Sequence, residues 1–213
     1  MQSQPPQVLA LVASSTCVLA VGALLAGFLE FGPHAGHMAA HILAMNVAAP
    51  VLAAIALARW KRPAGSVSLL WFTTFVQIAM LWVWHAPIAQ NFILHAPGAM
   101  IVALAALLVV ATAFWATLLL LNGSSRWHAI PALLLTGKLV CLLAALLVFS
   151  PRALYGSVDH AVHGLGDQHL AGLLMLAACP LSYIVAAVFI TVHLIGADEP
   201  PLPVPPIRRT AAS

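Results

Sequence analysis

The chain has 213 residues, 63% of them hydrophobic and only 6% charged, with a net charge of +3 and a mean hydropathy of +1.04. So few charges exclude a water-soluble domain of this length and point to a polytopic membrane protein. The basic residues are sparse and scattered along the chain, which gives no surface for nucleic acid, and the lipid bilayer is the expected surrounding.

Six apolar runs stand out: Val8–Leu29, His37–Ala58, Val67–Trp84, Gly98–Leu121, Ala129–Phe149 and His169–Ile195. Each is near the ~20 residues that cross a ~30 Å hydrocarbon core. The expected fold is all-α, a polytopic membrane bundle of about six transmembrane helices. It forms one domain over residues 1–195, followed by a Pro-rich, disordered cytoplasmic tail over residues 196–213. The first run has no Lys or Arg before it and is longer than a signal h-region, so it reads as a retained helix. Gly22 and Gly27 suit close helix packing. Glu30, at its end, reads as a solvated end charge, with a hydrogen bond to a histidine as the alternative.

The second run opens with His37-Met38-Ala39-Ala40-His41-Ile42-Leu43-Ala44-Met45. His37, His41 and Met45 recur every four residues, which stacks them on one helical face. Two imidazoles one turn apart can share a metal ion, and a nearby thioether suits soft Cu(I). The plain alternative is helix-end histidines in the headgroup region, with Met as apolar filling. Asn46 is expected to face another helix rather than lipid, and Pro50 to kink the helix. The third run ends Trp82-Val83-Trp84-His85-Ala86-Pro87, where Pro87 is expected to stop the helix and deliver His85 to the same side as His37. Gln77 lies two turns below His85 as a hydrogen-bonding partner for a neighbouring helix. Ile88–Pro97 reads as a short connection containing His95.

Lys138 falls about ten residues into the fifth run, near mid-membrane. It reads either as a functional cation or as one that snorkels or meets a backbone carbonyl. Ser150–Gln168 reads as the longest outer loop, carrying Tyr155, Asp159, His160, His163, Asp167 and Gln168. The last run then continues His169-Leu170-Ala171-Gly172-Leu173-Leu174-Met175, with Pro180 further in. Cys17, Cys141 and Cys179 are isolated within their runs and read as small apolar packers.

Arg59, Lys61, Arg62, Arg126, Arg208 and Arg209 all fall on one side of a six-span chain, against Arg152 on the other. The positive-inside rule then puts both termini in the cytoplasm. Eight of the ten histidines, all but His128 and His193, fall on the opposite, outer side. Imidazole with thioether is a copper-like donor set, and imidazole with carboxylate also suits Zn(II).

Three ordered motifs carry a family resemblance: His37-Met38-Ala39-Ala40-His41, Trp84-His85-Ala86-Pro87, and Asp167-Gln168-His169-Leu170-Ala171-Gly172-Leu173-Leu174-Met175. Over about Pro33 to Ile195 the chain resembles the CtaG-type (caa3-oxidase) membrane assembly factors of bacterial haem–copper oxidases. It departs from them at Gly98, where the family often has a histidine, and at Leu176, where a Trp is expected soon after Met175. The resemblance implies a factor that assists copper delivery to, or insertion at, the outer side of the oxidase catalytic subunit. It implies a multi-pass protein of the bacterial inner membrane, its metal site facing the periplasm or cell exterior. It places His37, His41, His85 and Asp167 first, and Met38, Met45, His169 and Met175 complete the candidate metal set. No nucleophile–base pair or phosphate loop is present, so the chain is not expected to be an enzyme. The alternatives are a haem-binding electron-transfer protein, with His41 and His85 at similar depth, or a metal-free assembly scaffold.

Overall fold

The computed structural model describes residues 32–59, 64–96, 98–154 and 161–197. The run Val8–Leu29, with Cys17 and Glu30, lies outside these residues. So do Tyr155, Asp159, His160, the side chains of His95 and His163, and the tail beyond residue 197. The described residues are helical and contain no strand.

The second run becomes a rod of α1 (Pro33–Leu43), a π-turn (Ala44–Ala48) and α2 (Ala49–Arg59). The kink expected from Pro50 takes the form of this π-turn. Proline lacks the N–H that would close an α-turn and its ring crowds the preceding carbonyls, so the helix widens just before it. The Ala49 N–H then bonds to the Ala44 carbonyl, five residues back. A carbonyl within the turn, that of Met45, is taken by the Trp115 indole N–H at 2.9 Å.

Helix α3 (Val67–Trp84) begins at Ser66, whose hydroxyl accepts from the Leu69 N–H, and ends where expected. Ile88–Pro97, read above as a simple connection, is mostly helix: α4 (Pro87–His95) has Pro87 in its first turn, where a proline loses no hydrogen bond. Gly98, at φ 80°, turns the chain into α5 (Ala99–Leu120). A 3₁₀ turn (Gly123–His128) leads to α6 (Ala129–Phe149). The last helix, α7 (Ala161–Ala197), starts eight residues before the expected His169. Residues 161–168 of the stretch that suggested a loop form its first two turns, where Asp167 and Gln168 bond to other parts of the fold, whereas residues 150–154 are not helical.

Five helical segments are long and apolar enough to cross a membrane: His34–Arg59, Val67–Trp84, Ala99–Leu120, Gly123–Phe149 and Leu165–Gly196. Their outward faces carry Phe72 at 64% exposure, Ile101 at 75% and Phe149 at 80%. Large side chains this open in every direction suit hydrocarbon rather than water. The chain is a multi-pass membrane bundle.

The helices close into a ring. The α1–α2 rod packs on α7 and on α5, α5 on α3, α3 on α6, and α6 along the length of α7. The α6–α7 pair is the most extensive because Gly172 admits α6 closely, a Cβ there falling 2.8 Å from Val148 Cγ2 and 3.1 Å from the Ala144 carbonyl. The interior holds Phe114, Trp115 and Tyr183, with Trp115 stacked on Tyr183 at 6.0 Å between ring centroids. Buried polar groups pair between helices, as the low dielectric demands. Gln77 Nε2 donates to the Tyr183 hydroxyl at 3.3 Å, Ser182 Oγ donates to Asn46 Oδ1 at 2.8 Å, and Asn46 Nδ2 contacts Cys179 Sγ at 3.6 Å.

Candidate functional site

The N-terminus of α1, the C-terminus of α3 and the first turns of α7 meet at one end of the bundle, the histidine end. The start of α1 has an unusual cap. Gly32, in the N-cap position, has no side chain to accept the first N–H groups. Asp167 supplies the acceptor from α7: its Oδ2 takes the His34 N–H at 2.8 Å and its Oδ1 the Ala35 N–H at 3.0 Å. A carboxylate at a helix N-terminus also complements the helix dipole. Position 32 has to be glycine for this, since a Cβ there would overlap the Asp167 carboxylate.

This clamp holds α1 so that His37 and His41 follow one and two turns inward. Their ring centroids are 4.2 Å apart, and His41 meets the His85 ring edge-on at 5.9 Å. His41 is 3% exposed and His85 4%. His85 caps α3, with its Nδ1 2.7 Å from the Leu81 carbonyl. A carbonyl only accepts, so Nδ1 carries the proton, and in the neutral ring Nε2 keeps its lone pair. Burial pushes the His85 imidazole well below the ordinary histidine range; the Leu81 carbonyl opposes this, and His37 adds to it. The Nε2 lone pair points at Met38 Sδ, 3.3 Å away.

An imine nitrogen and a thioether sulfur facing each other both offer lone pairs, an arrangement suited to a shared cation. At 3.3 Å the two donor atoms are close enough that both would reach one ion. Neither ring nitrogen of His41 finds a hydrogen-bond partner within the fold, nor does His37 Nε2. Buried polar atoms in that state, which Gln77 Oε1, Trp82 Nε1 and Trp84 Nε1 share, are uncommon, and His41 borders a small cavity. Met38, His41, Met45, His85, Met175 and Cys179 border a single cavity of about 10 Å³, space for one water-sized particle. Among the described residues no three His, Cys, Asp or Glu side chains are grouped so as to hold one metal ion. A metal here depends on thioether sulfur to complete its coordination.

The structure thus brings together His37, His41, His85, Met38, Met45 and Met175, with His37 against the His41 ring and the rest around the cavity. It places the two other candidates elsewhere. Asp167 is spent on the α1 cap, and His169 turns its Nε2 toward the Ser150 carbonyl at 3.5 Å. Between them Gln168 is buried, donating to the Leu147 carbonyl at 3.2 Å and accepting from the Leu154 N–H at 2.7 Å. Cys179, read from the sequence as a packer, borders the cavity; it follows Met175 by four residues, a helical-face spacing visible in the sequence. Lys138 is exposed on the outward face of α6 and does not line this cavity. Comparison with known proteins finds no matching family model, curated protein or solved structure.

Proposed function

We propose that the chain is a membrane assembly factor for a haem–copper oxidase that carries Cu(I) as cargo. The observation that supports this most directly is the His85–Met38 approach, with the unpartnered His41 beside it. A buried set of imidazole and thioether donors favours a soft, singly charged ion over Zn(II) or Mg(II), which prefer harder or more charged ligands. The family side of the reading rests on the three sequence motifs alone. In it, His41, His85 and Met38 hold the ion, Met45 and Met175 offer alternative sulfur donors, and His37, beside His41, passes it on. Handover to the oxidase catalytic subunit proceeds by ligand exchange, without covalent catalysis. In this reading the histidine end faces outward from a bacterial inner membrane, a placement supported by the basic-residue pattern for the side and by the motif resemblance for the membrane.

The 10 Å³ cavity does not itself hold a macrocycle, and a metal-free scaffold differs from the present reading only in metal content. Anaerobic Cu(I) titration of the detergent-purified chain tests it. Stoichiometric binding is expected, weakened more than about tenfold by His85→Ala or Met38→Leu. A wild-type protein that takes up no copper would reduce the reading to a scaffold, and a Soret band on purification would replace it with haem.

A further inference from the structure

Lys138 occupies the middle of α6, nine residues from Ala129 and eleven from Phe149. At ~1.5 Å per residue it lies about 14 Å from one end and 16 Å from the other, farther than a lysine stem extends by snorkelling. Its side chain is exposed, on the stripe Leu134, Lys138, Leu142, Leu146 and Phe149 that faces outward. An ammonium held against hydrocarbon needs a counter-charge.

Directly above it the ring is at its loosest. Of the contacts between neighbouring long helices, that of α3 with α6 is the least extensive. An open groove of about 660 Å³ lies at the histidine end of this seam, lined by Leu142, Leu146 and Phe149 from α6, by Trp82, His85 and Pro87 on the other side, and by Pro151 and Leu154 beyond the end of α6. Lys138 precedes Leu142 by one turn on the same face, so the groove leads down to a positive charge.

Among the described residues the one acidic side chain, Asp167, is engaged at the α1 cap. In the sequence the other four, Glu30, Asp159, Asp198 and Glu199, lie outside the centres of the apolar runs. Val8–Leu29 contains no Asp or Glu, so neither this run nor a second copy supplies a carboxylate at mid-membrane. Phospholipid phosphates sit at the bilayer surface. We propose that the α3–α6 groove seats a transmembrane helix of a partner protein that carries an aspartate or glutamate near its midpoint. The carboxylate pairs with Lys138, and the upper half of that helix packs over Leu142, Leu146 and Phe149 beside His85. The proposal gives the chemistry of a partner and holds whether or not the histidine end binds copper.

The test uses the full chain, carrying a donor fluorophore at its C-terminus, in phosphatidylcholine vesicles. Acceptor-labelled Leu/Ala helices of about 20 residues with a central Asp or a central Leu serve as probes. The wild type is expected to bind the Asp helix about tenfold more tightly than the Leu helix. Lys138→Leu, a lipid-facing change that leaves the interior untouched, should abolish the preference, and Lys138→Asp should transfer it to a helix with a central Lys. The proposal is overturned if the wild type shows no preference, or if Lys138→Leu retains it. It is equally overturned if Val109→Lys restores the full preference in Lys138→Leu, since the groove then contributes nothing. Energy transfer between copies of the chain that vanishes in Lys138→Leu would put a second copy in the groove and also overturn it. No metal enters this readout, so its failure is separable from failure of the copper reading.

Discussion

At the scale of single residues, Asp167 and Gly32 act as one device. The carboxylate caps α1 only because the glycine leaves it space, so substituting either should cost about the same, roughly 1–2 kcal/mol of stability. Thermal unfolding in detergent should show Asp167→Asn and Gly32→Ala each lowering the midpoint, and the double variant lowering it little further, because both act through one contact. A Gly32→Ala protein as stable as the wild type would remove this account. The role was hidden in the sequence. Asp167 stands among other polar residues in what reads as a loop, and nothing in its spacing reveals that its partners are backbone groups 133 residues away. His37, His41 and His85 were legible because helical periodicity and a helix-ending proline fix their depth. Cys179 carried a usable signal in its spacing from Met175, but a lone thiol in an apolar run is more often packing.

At the scale of elements, the π-turn and the groups around it set where the site lies. The turn frees the Met45 carbonyl for Trp115 and aims Asn46 at Ser182, joining the rod to α5 and α7. Asn46→Leu should leave the Ser182 hydroxyl with only its local carbonyl and cost about 1–2 kcal/mol, within the range of interhelical hydrogen bonds in bilayers. Where the proposed copper binding holds, the effect of this substitution should also reach Cu(I) affinity, since Met45 borders the cavity from the same turn; unchanged affinity and stability together would show that the turn positions nothing. Gly172→Leu should be more disruptive, because the clash is with α6 backbone as well as Val148, and loss of folded protein on gel filtration is the expected result. The helix bounds of α3, α5 and α6 follow from apolar runs ended by polar or proline residues, so the sequence showed them well. The early start of α7, helical α4 and the π-turn depend on tertiary partners or on local backbone geometry that hydropathy does not register.

At the scale of the whole molecule, the ring of spanning helices alternates its ends. Residues 64–66 and 123–128 lie at one end, and 85–86 and 150–154 at the other. In a cysteine-free background, Ser66→Cys and Ser124→Cys should react with a membrane-impermeant maleimide from one side only, and Arg152→Cys and Gly166→Cys from the opposite side. Labelling of Ser66→Cys and Arg152→Cys from the same side would contradict the ring. The positive-inside rule predicts that the Ser66 side is cytoplasmic, and the same experiment on intact cells tests it.

The capped start of α1 also has a consequence in time. His34 and Ala35 leave the ribosome 133 and 132 residues before the carboxylate that will hold them. At ~5–20 residues per second of synthesis, α1 waits on the order of ten seconds with its first N–H groups unclaimed. Over that interval its histidines exist without Met175 and Cys179, which are made later still. A nascent chain therefore offers imidazole before it offers the full set of sulfur donors, and the site matures only when the last helix enters the bilayer.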